Sequence, residues 1–239
     1  MKKIRKLSDI GLTKGSSLLA VMPHPDDETG FAGGFLRYIN RKGITVNLLC
    51  VTDGAASTLT YGVDKQTSLA ETREKELIEA AKVLHIQKPI FGRFPDGMTR
   101  SHTQEIQECM IDTIAQLRPA VVLTLEPDGG YGHPDHIEVS RIVTEIYKAD
   151  PSFTLLYTTV KEGFQADEGS RNMAEKEIHP LLPTMYLTLS PTEIYAKFQA
   201  LRSHKSQFSS MPGSHMKLKD IIQSIGFLLK EYFVLGEEK

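Results

Sequence analysis

Residues 18–28 of the chain read LLAVMPHPDDE. The first five are apolar and two prolines follow at once, so a buried β-strand over residues 18–22 is predicted to end where the ionisable residues begin. The end of this strand therefore carries His24, Asp26, Asp27 and Glu28. So many ionisable side chains in one short turn make it the first candidate for a functional site.

Outward from this strand, apolar segments alternate with segments of helical periodicity. Strands are predicted over residues 44–52, 89–94, 120–125 and 153–158, and helices over residues 31–42, 69–84 and 103–117. This alternation predicts an α/β protein with a Rossmann-like three-layer fold, in which helices cover both faces of a mostly parallel central sheet. In the strand order 3-2-1-4-5 the first and fourth strands are neighbours, and ligands bind beyond the carboxyl ends of such strands.

The C-terminal part has weaker patterns. We predict helices over residues 192–203 and 216–232, and we interpret the polar stretch 161–176 as a solvated connection, with a mobile loop beside the site as the alternative. The sequence contains no internal repeat and no clear linker. We therefore expect one domain over residues 1–239.

The composition excludes several classes of partner. The 239 residues carry a formal net charge of -2, which gives no broad attraction to nucleic acid or to an anionic membrane. No apolar run approaches the about 20 residues that cross a bilayer, and the basic N-terminus lacks the pattern of a signal peptide. Two cysteines, Cys50 and Cys109, suit buried thiols in a reducing compartment. We expect a cytoplasmic protein with a small-molecule partner, and the sequence leaves open a homo-oligomer.

The first segment offers metal ligands. His24 and Asp27 are three residues apart around a proline, so both can face one point from a tight turn, and both are ligand types that zinc takes in hydrolytic sites. The neighbouring Asp26 is then left to contact a bound water as a base. The alternative is helix capping, since Asp26, Asp27 and Glu28 all suit the N-terminus of a helix.

A second segment, HPDH at residues 133–136, supplies the remaining ligand. We assign His136 as the third ligand, and we expect His133 to lie nearby as a cationic donor whose ring N–H is accepted by Asp135. Tyr131 lies among glycines and could bring its hydroxyl over the reacting centre, or it could be an exposed loop residue. Together the two segments predict a metal-dependent hydrolase.

Other functions fit parts of this pattern. A metal-dependent phosphoesterase would usually have two metals and more carboxylate ligands, and a metal-dependent amidase could act on another small molecule. A non-catalytic sugar-binding protein could retain the pocket. A dinucleotide-binding protein is disfavoured, because the first strand leads into HPDD and not into GxGxxG.

The chain resembles the LmbE/PIG-L family of zinc-dependent N-deacetylases. The resemblance rests on PHPDDE at residues 23–28 and GYGHPDH at residues 130–136. Weaker matches are TDG at 52–54, REKE at 73–76, FPDG at 94–97 and ALRSHKSQ at 200–207. By position, the resemblance implies hydrolysis of the N-acetyl group of an N-acetylglucosamine-type conjugate.

The resemblance also implies roles for single residues. Zinc, or Fe²⁺ in its place, would bind His24, Asp27 and His136, with Asp26 as the base that activates metal-bound water and His133 helping zinc to hold the oxyanion. Tyr131 would approach the intermediate, and Arg73 and Asp96 would contact sugar hydroxyls. From the residues alone, Arg73 reads as a solvated helix charge and Asp96 as a turn residue.

Two positions stand apart from these roles. Ala55 follows Gly54 where many relatives have Glu, so a polar contact near the pocket is missing and the substrate stays open. His204 lies in the matching string at 200–207, and we interpret it as a structural histidine.

Overall fold

The computed structural model describes residues 1–164, 172, 174, 177–208 and 229–236. Its strands are β1 (Lys2–Lys3), β2 (Ser17–Met22), β3 (Thr45–Thr52), β4 (Ile90–Phe94), β5 (Val121–Leu125), β6 (Thr154–Thr159), β7 (Met185–Thr188) and β8 (Lys230–Leu235). Its helices are α1 (Asp27–Arg41), α2 (Leu69–Leu84), α3 (Thr103–Leu117), α4 (Pro134–Ala149), α5 (Pro191–Ser203) and α6 (Lys205–Phe208), with short 3₁₀ helices at Leu7–Ile10 and Thr99–His102.

These strands form one sheet in the order β1-β7-β8-β6-β5-β2-β3-β4. The five strands from β4 to β6 in this order are parallel to their neighbours, whereas β8 is antiparallel to both β6 and β7. The strand order 3-2-1-4-5 considered for the five predicted strands is the order β4-β3-β2-β5-β6 found here, so β2 lies between β3 and β5. The α/β class and the mostly parallel sheet are confirmed.

The two faces of β2 bury different layers of helices. Leu18, Ala20 and Met22 belong to a core that includes apolar residues of α1, α2 and α5. Leu19 and Val21 point the other way, into a core built with α3 and α4. Alternate residues of a strand face opposite sides of a sheet, so a strand buried on both faces reads as a continuous apolar run. This is the predicted three-layer arrangement.

Among the predicted elements, the largest differences are at the start of α1 and at the end of the last predicted helix. Helix α1 begins at Asp27, earlier than the predicted residue 31, because acidic residues are favourable in a first helical turn. The predicted helix 216–232 is wrong at its end, where residues 230–232 belong to β8 and the aromatic Tyr232 and Phe233 favour a strand. The rest of that helix, 216–228, and most of the polar stretch 161–176 lie outside the described residues.

The buried carboxylate of Glu231 joins the C-terminal strand to the helix that begins at the site. The Glu231 carboxylate in β8 accepts hydrogen bonds from the backbone N–H groups of Gly34 (2.9 Å) and Phe35 (2.6 Å) in α1. It also accepts one from the Lys197 ammonium of α5 at 2.8 Å, and both side chains are nearly fully buried. The middle of α1 is therefore held from two later elements of the chain.

The structure also bears on the expectations about the two cysteines and about a membrane span. Cys50 is buried and Cys109 is half-buried, and both are free thiols. Within the described residues, no helix has the length and the apolar character that a membrane span needs.

Candidate metal centre

The two histidine-containing segments meet at one edge of the sheet. Residues 24–28 follow the end of β2 at Met22, and residues 126–133 connect the end of β5 at Leu125 to the start of α4. Because β2 and β5 pair in parallel, both segments leave the sheet at the same edge. The strand order thus brings His24 and Asp27 close to His136.

Three potential ligand atoms converge there. His24 Nδ1 lies 3.1 Å from His136 Nε2 and 3.3 Å from Asp27 Oδ2, and the same Asp27 oxygen lies 3.2 Å from His136 Nε2. Ligands of a tetrahedral zinc ion, at about 2.0–2.1 Å from the metal, lie about 3.3–3.4 Å from one another. The triangle formed by the three atoms is therefore close to the size that zinc requires.

In the neutral form of the His24 and His136 rings, hydrogen bonds to other partners leave the two nitrogens that face each other without protons. His24 Nε2 faces carboxylate oxygens, so it donates, and His136 Nδ1 donates to the Gly129 carbonyl at 2.9 Å. In neutral rings, His24 Nδ1 and His136 Nε2 then carry lone pairs that point toward each other and toward Asp27. A divalent cation, or a shared proton in its place, relieves this repulsion, so the donor set fits a metal.

Two carboxylates hold the outer nitrogen of His24. Asp96 Oδ1 lies 3.0 Å and Asp135 Oδ2 3.1 Å from His24 Nε2. Asp135 also accepts hydrogen bonds from the Gly97 N–H (2.7 Å) and the Thr99 hydroxyl (2.7 Å). A carboxylate on the far nitrogen of a ligand histidine fixes its tautomer and increases its basicity. His24, Asp96 and Asp135 also form a possible ligand group, but the other partners of Asp135 make it the poorer one.

The expectation that Asp135 accepts the ring N–H of His133 is wrong. The Asp135 carboxylate is turned toward His24, and His133 Nδ1 instead accepts the backbone N–H of Asp135 at 3.2 Å, at the start of α4. Burial, with the nearby rings of His24 and His136, lowers the pKa of His133 to about 4. A lowered pKa favours the neutral ring over the expected imidazolium, and because Nδ1 accepts a hydrogen bond, the proton of the neutral ring is on Nε2.

Asp26 has an unusual backbone and a charged neighbour. Its φ is 114°, and although it precedes α1 its side chain makes no capping hydrogen bond, which argues against the capping alternative. The Arg73 guanidinium donates to Asp26 Oδ2 at 3.1 Å, to the Pro25 carbonyl at 2.5 Å and to the Gly54 carbonyl at 2.7 Å. Burial raises the pKa of Asp26 to about 6, although Arg73 opposes the shift. A carboxyl with such a pKa suits a general base.

The side chains of Arg73 and Asp96 are more buried than we expect for residues that contact a sugar. The Arg73 side chain is 4% exposed, and its Nε atom has no hydrogen-bond partner among the residues that the structure describes. The Asp96 side chain is 7% exposed, and its Oδ2 accepts the Ala56 N–H at 3.0 Å while Oδ1 faces His24. The structure thus places both beside site residues, Arg73 against Asp26 and Asp96 against His24.

Tyr131 lies over the ligand triangle. Its hydroxyl is 3.5 Å from His136 Nε2, and its ring lies parallel to that of Phe31. The loop that carries it is shaped by Glu126, whose buried carboxylate accepts the Gly130 N–H at 2.7 Å. Gly129 has a φ of 66°, and a Cβ there would overlap Cβ of His136. Only glycine fits this close approach.

The sequence interpretation missed several polar residues that support the site. They are Glu28, which accepts the Asp26 N–H, Thr99, which holds Asp135, and Glu126, which shapes the Tyr131 loop. It also gave His204 no partner, whereas its Nε2 lies 3.1 Å from Glu28 Oε1. Burial alone would lower the pKa of His204, but the Glu28 carboxylate outweighs it and keeps that pKa raised. For Glu126 the sequence does offer a signal, because this residue directly follows a buried strand.

Comparisons with known proteins find similar sequences. A family model described as PIG-L: GlcNAc-PI de-N-acetylase matches residues 19–147. A protein of Rhodococcus opacus (strain B4), named 1D-myo-inositol 2-acetamido-2-deoxy-alpha-D-glucopyranoside deacetylase, is 30% identical over 274 residues, covering 91% of this chain and 90% of its own. A protein of the same name from Rhodococcus jostii (strain RHA1) is 29% identical, with the same coverage of both chains.

Solved structures share the fold. The zinc-inhibited form of the teicoplanin deacetylase Orf2 superposes with a TM-score of 0.65 at 19% identity, covering 94% of this chain and 100% of that one. The N,N'-diacetylchitobiose deacetylase of Pyrococcus horikoshii gives a TM-score of 0.64 at 20% identity, covering 92% and 84%. At these identities the likeness concerns the arrangement of strands and helices.

Proposed function

Since the chain belongs to the PIG-L family of GlcNAc-PI de-N-acetylases, we propose that it is a zinc-dependent N-deacetylase acting on an N-acetylglucosamine-type conjugate. The observation that carries the proposal is the convergence of His24 Nδ1, Asp27 Oδ2 and His136 Nε2 within 3.1–3.3 Å, next to the base candidate Asp26. The relatives named as deacetylases of an acetamido sugar linked to inositol support the substrate class.

Zinc, or Fe²⁺ as the alternative, would be held by His24, Asp27 and His136 and would supply a Lewis acid for the amide carbonyl and its attacking water. The chain's own residues handle the protons. Asp26, with its pKa near 6, accepts a proton from the attacking water and can return it to the leaving amine. The products are acetate and a free amine on the sugar.

His133 and Tyr131 supply hydrogen-bond donors. In the neutral ring of His133, Nδ1 accepts the Asp135 N–H, so Nε2–H is available to the oxygen on which negative charge develops. The Tyr131 hydroxyl, close to His136, is a second donor for that oxygen. A neutral donor of this kind replaces the charged one that the sequence predicts.

Arg73, Asp96 and Asp135 serve chiefly to position other groups in this proposal. Arg73 orients the Asp26 carboxylate through the contact between Nη2 and Oδ2, and the two aspartates orient His24. Direct contacts of Arg73 or Asp96 with sugar hydroxyls stay a prediction of the family resemblance.

The proposal is tested with the zinc-loaded protein and a panel of N-acetylated substrates. The panel contains N-acetylglucosamine, its malate, inositol and phosphatidylinositol conjugates, and N-acetylated oligosaccharides. We expect acetate and free amine in equal amounts from at least one conjugate, with one metal bound per chain. Protein that binds one zinc but releases acetate from none of them would contradict the proposal. Two metals per chain with phosphate release would favour a phosphoesterase instead.

A further inference from the structure

The backbone of Asp26 is held in a conformation that a non-glycine residue rarely adopts. Its φ of 114° lies outside the regions open to ordinary side chains, so it persists only where surrounding contacts impose it. On one side, Arg73 holds the preceding carbonyl of Pro25 and one oxygen of the Asp26 side chain. On the other side, the backbone N–H of Asp26 donates to Glu28 Oε2 at 3.0 Å.

Glu28 can hold that N–H only if its own carboxylate is fixed. The Glu28 side chain is fully buried, and its second oxygen, Oε1, accepts hydrogen bonds from the Thr29 hydroxyl and from His204 Nε2. A buried carboxylate without partners is costly, and it would turn toward any donor within reach. His204 supplies the partner from outside the turn that contains Asp26.

His204 is itself well placed to act as a support. It is fully buried at the junction between α5 and α6, where its N–H donates to the Leu201 carbonyl and its carbonyl accepts the N–H of Gln207 at 3.1 Å. Next to it, Ser206 bonds Glu76 of α2 through both its N–H (2.8 Å) and its hydroxyl (2.7 Å). The His204 ring therefore projects from a rigid segment toward Glu28.

We propose that His204 is a positioning residue for Asp26: acting through Glu28, it keeps the Asp26 backbone in its rare conformation and so aims the carboxylate at the attacking water. The inference rests on the proposed function because it takes Asp26 as the base. The contacts that lead from His204 through Glu28 to Asp26 do not depend on that function. The inference gives His204, which the sequence favours as a structural histidine, a role in the site. Deletion of the His204 contact would let Asp26 relax, while the ligands His24 and His136 keep their own partners.

The experiment compares two amide variants of His204 in the zinc-loaded protein. In His204→Gln the amide nitrogen reaches the position of Nε2 and can still donate to Glu28, whereas in His204→Asn it is one methylene too short. Both remain polar, so both are expected to fold. Thr113→Ala is the control, because its hydroxyl donates to the Cys109 carbonyl of α3 at 2.7 Å, outside the contacts that link His204 to Asp26.

Two readouts separate positioning from simple stability. We expect His204→Asn to lower kcat about tenfold to hundredfold, with KM changed less than about threefold and one zinc still bound, and His204→Gln to keep kcat within about threefold of the parent. Exchange of the Asp26 amide, followed by NMR without substrate, should quicken in His204→Asn alone. Thr113→Ala should lower stability with kcat unchanged.

The outcomes also distinguish this inference from the proposed function. If no substrate is found, the Asp26 exchange rate still decides whether His204 acts on that backbone. Equal kcat and equal Asp26 exchange in the Asn and Gln variants would overturn the inference while leaving the deacetylase proposal intact. Loss of zinc in parallel with kcat would overturn it as well, because His204 would then support the ligands and not the base.

Discussion

Asp135 Oδ2 lies 3.1 Å from His24 Nε2, on the opposite side of the ring from the nitrogen that faces His136. The carboxylate of one motif thus orients the histidine of the other, across 111 residues of sequence. The two segments are linked through this contact as well as through the ligand triangle. Four expected outcomes follow from the geometry of the site and its surroundings.

Asp135→Asn should weaken zinc binding about tenfold to hundredfold, because loss of the charged partner of a ligand histidine has that effect in metal sites. The measurement is the zinc dissociation constant by competition with a chelator. Asp112→Asn, which removes an equal charge from an exposed position on α3, is the control and should bind zinc as the parent does. Equal affinity in both variants would mean that Asp135 does not orient His24.

Asp26→Asn should retain zinc and lose turnover by a factor of about 10²–10⁴, because an amide cannot accept the proton that a general base must take. His136→Ala should lose both zinc and turnover, since it removes one corner of the ligand triangle. Metal content per chain and acetate release are measured on the same preparations. Full activity of purified Asp26→Asn protein would exclude Asp26 as the base.

Gly129→Ala should disturb the site more than an alanine at another glycine with positive φ. Both Gly129 and Gly15 have left-handed backbones, with φ of 66° and 88°, so each substitution costs about 1–2 kcal/mol of backbone strain. Only at Gly129 does the added methyl overlap His136, whereas a Cβ at Gly15 would have no atom of the described residues within 4 Å. Zinc affinity should fall in Gly129→Ala and stay unchanged in Gly15→Ala, as titration of both variants would reveal.

Glu193→Gln should make stability less dependent on pH. The buried Glu193 carboxylate accepts the Ser190 N–H at 2.9 Å and pairs with Arg41 at 2.5 Å; burial would raise its pKa, but these contacts outweigh burial and lower the pKa below the usual 4.5. Its contribution is therefore present above about pH 4.5 and is lost as the pH falls through the lowered value.

At neutral pH we expect Glu193→Gln to be less stable than the parent by about 1 kcal/mol, the size of a charge effect at a helix N-terminus. Urea unfolding at pH 7 and at pH 3 measures the difference, which should shrink at the lower pH. Glu79→Gln, an exposed change in α2, is the control and should differ little from the parent at either pH. A difference for Glu193→Gln that persists at pH 3 would show that its charge is not the cause.

Much of the fold was predictable because its signals are local. The run LLAVM at residues 18–22 is apolar throughout because both faces of β2 are covered, and helix α2 begins and ends where its periodicity does. Strand β8 was missed because the aromatic residues at 232 and 233 fit either a helix face or a strand. Its place in the sheet depends on pairing with β6 and β7, which no local pattern reports.

The site was predictable in part for the same reason. The residue types within HPDD and HPDH, and the spacing between them, indicated which groups converge, because short turns restrict where their side chains can point. The partners of those groups were not predictable, since a carboxylate such as Asp135 has several donors within reach and the sheet geometry decides among them. His24, not His133, turned out to be the ring that it contacts.

The pairing of Glu231 with α1 sets a lower limit on the size of the cooperative folding unit. The family match ends at residue 147, but the N–H groups of Gly34 and Phe35 and the ammonium of Lys197 have their acceptor in the last described strand. A fragment cut after residue 147 would lose this acceptor together with α5 and β8, which pack against α1, and would expose the edge of β5. The segment that carries every predicted site residue is therefore not expected to fold by itself.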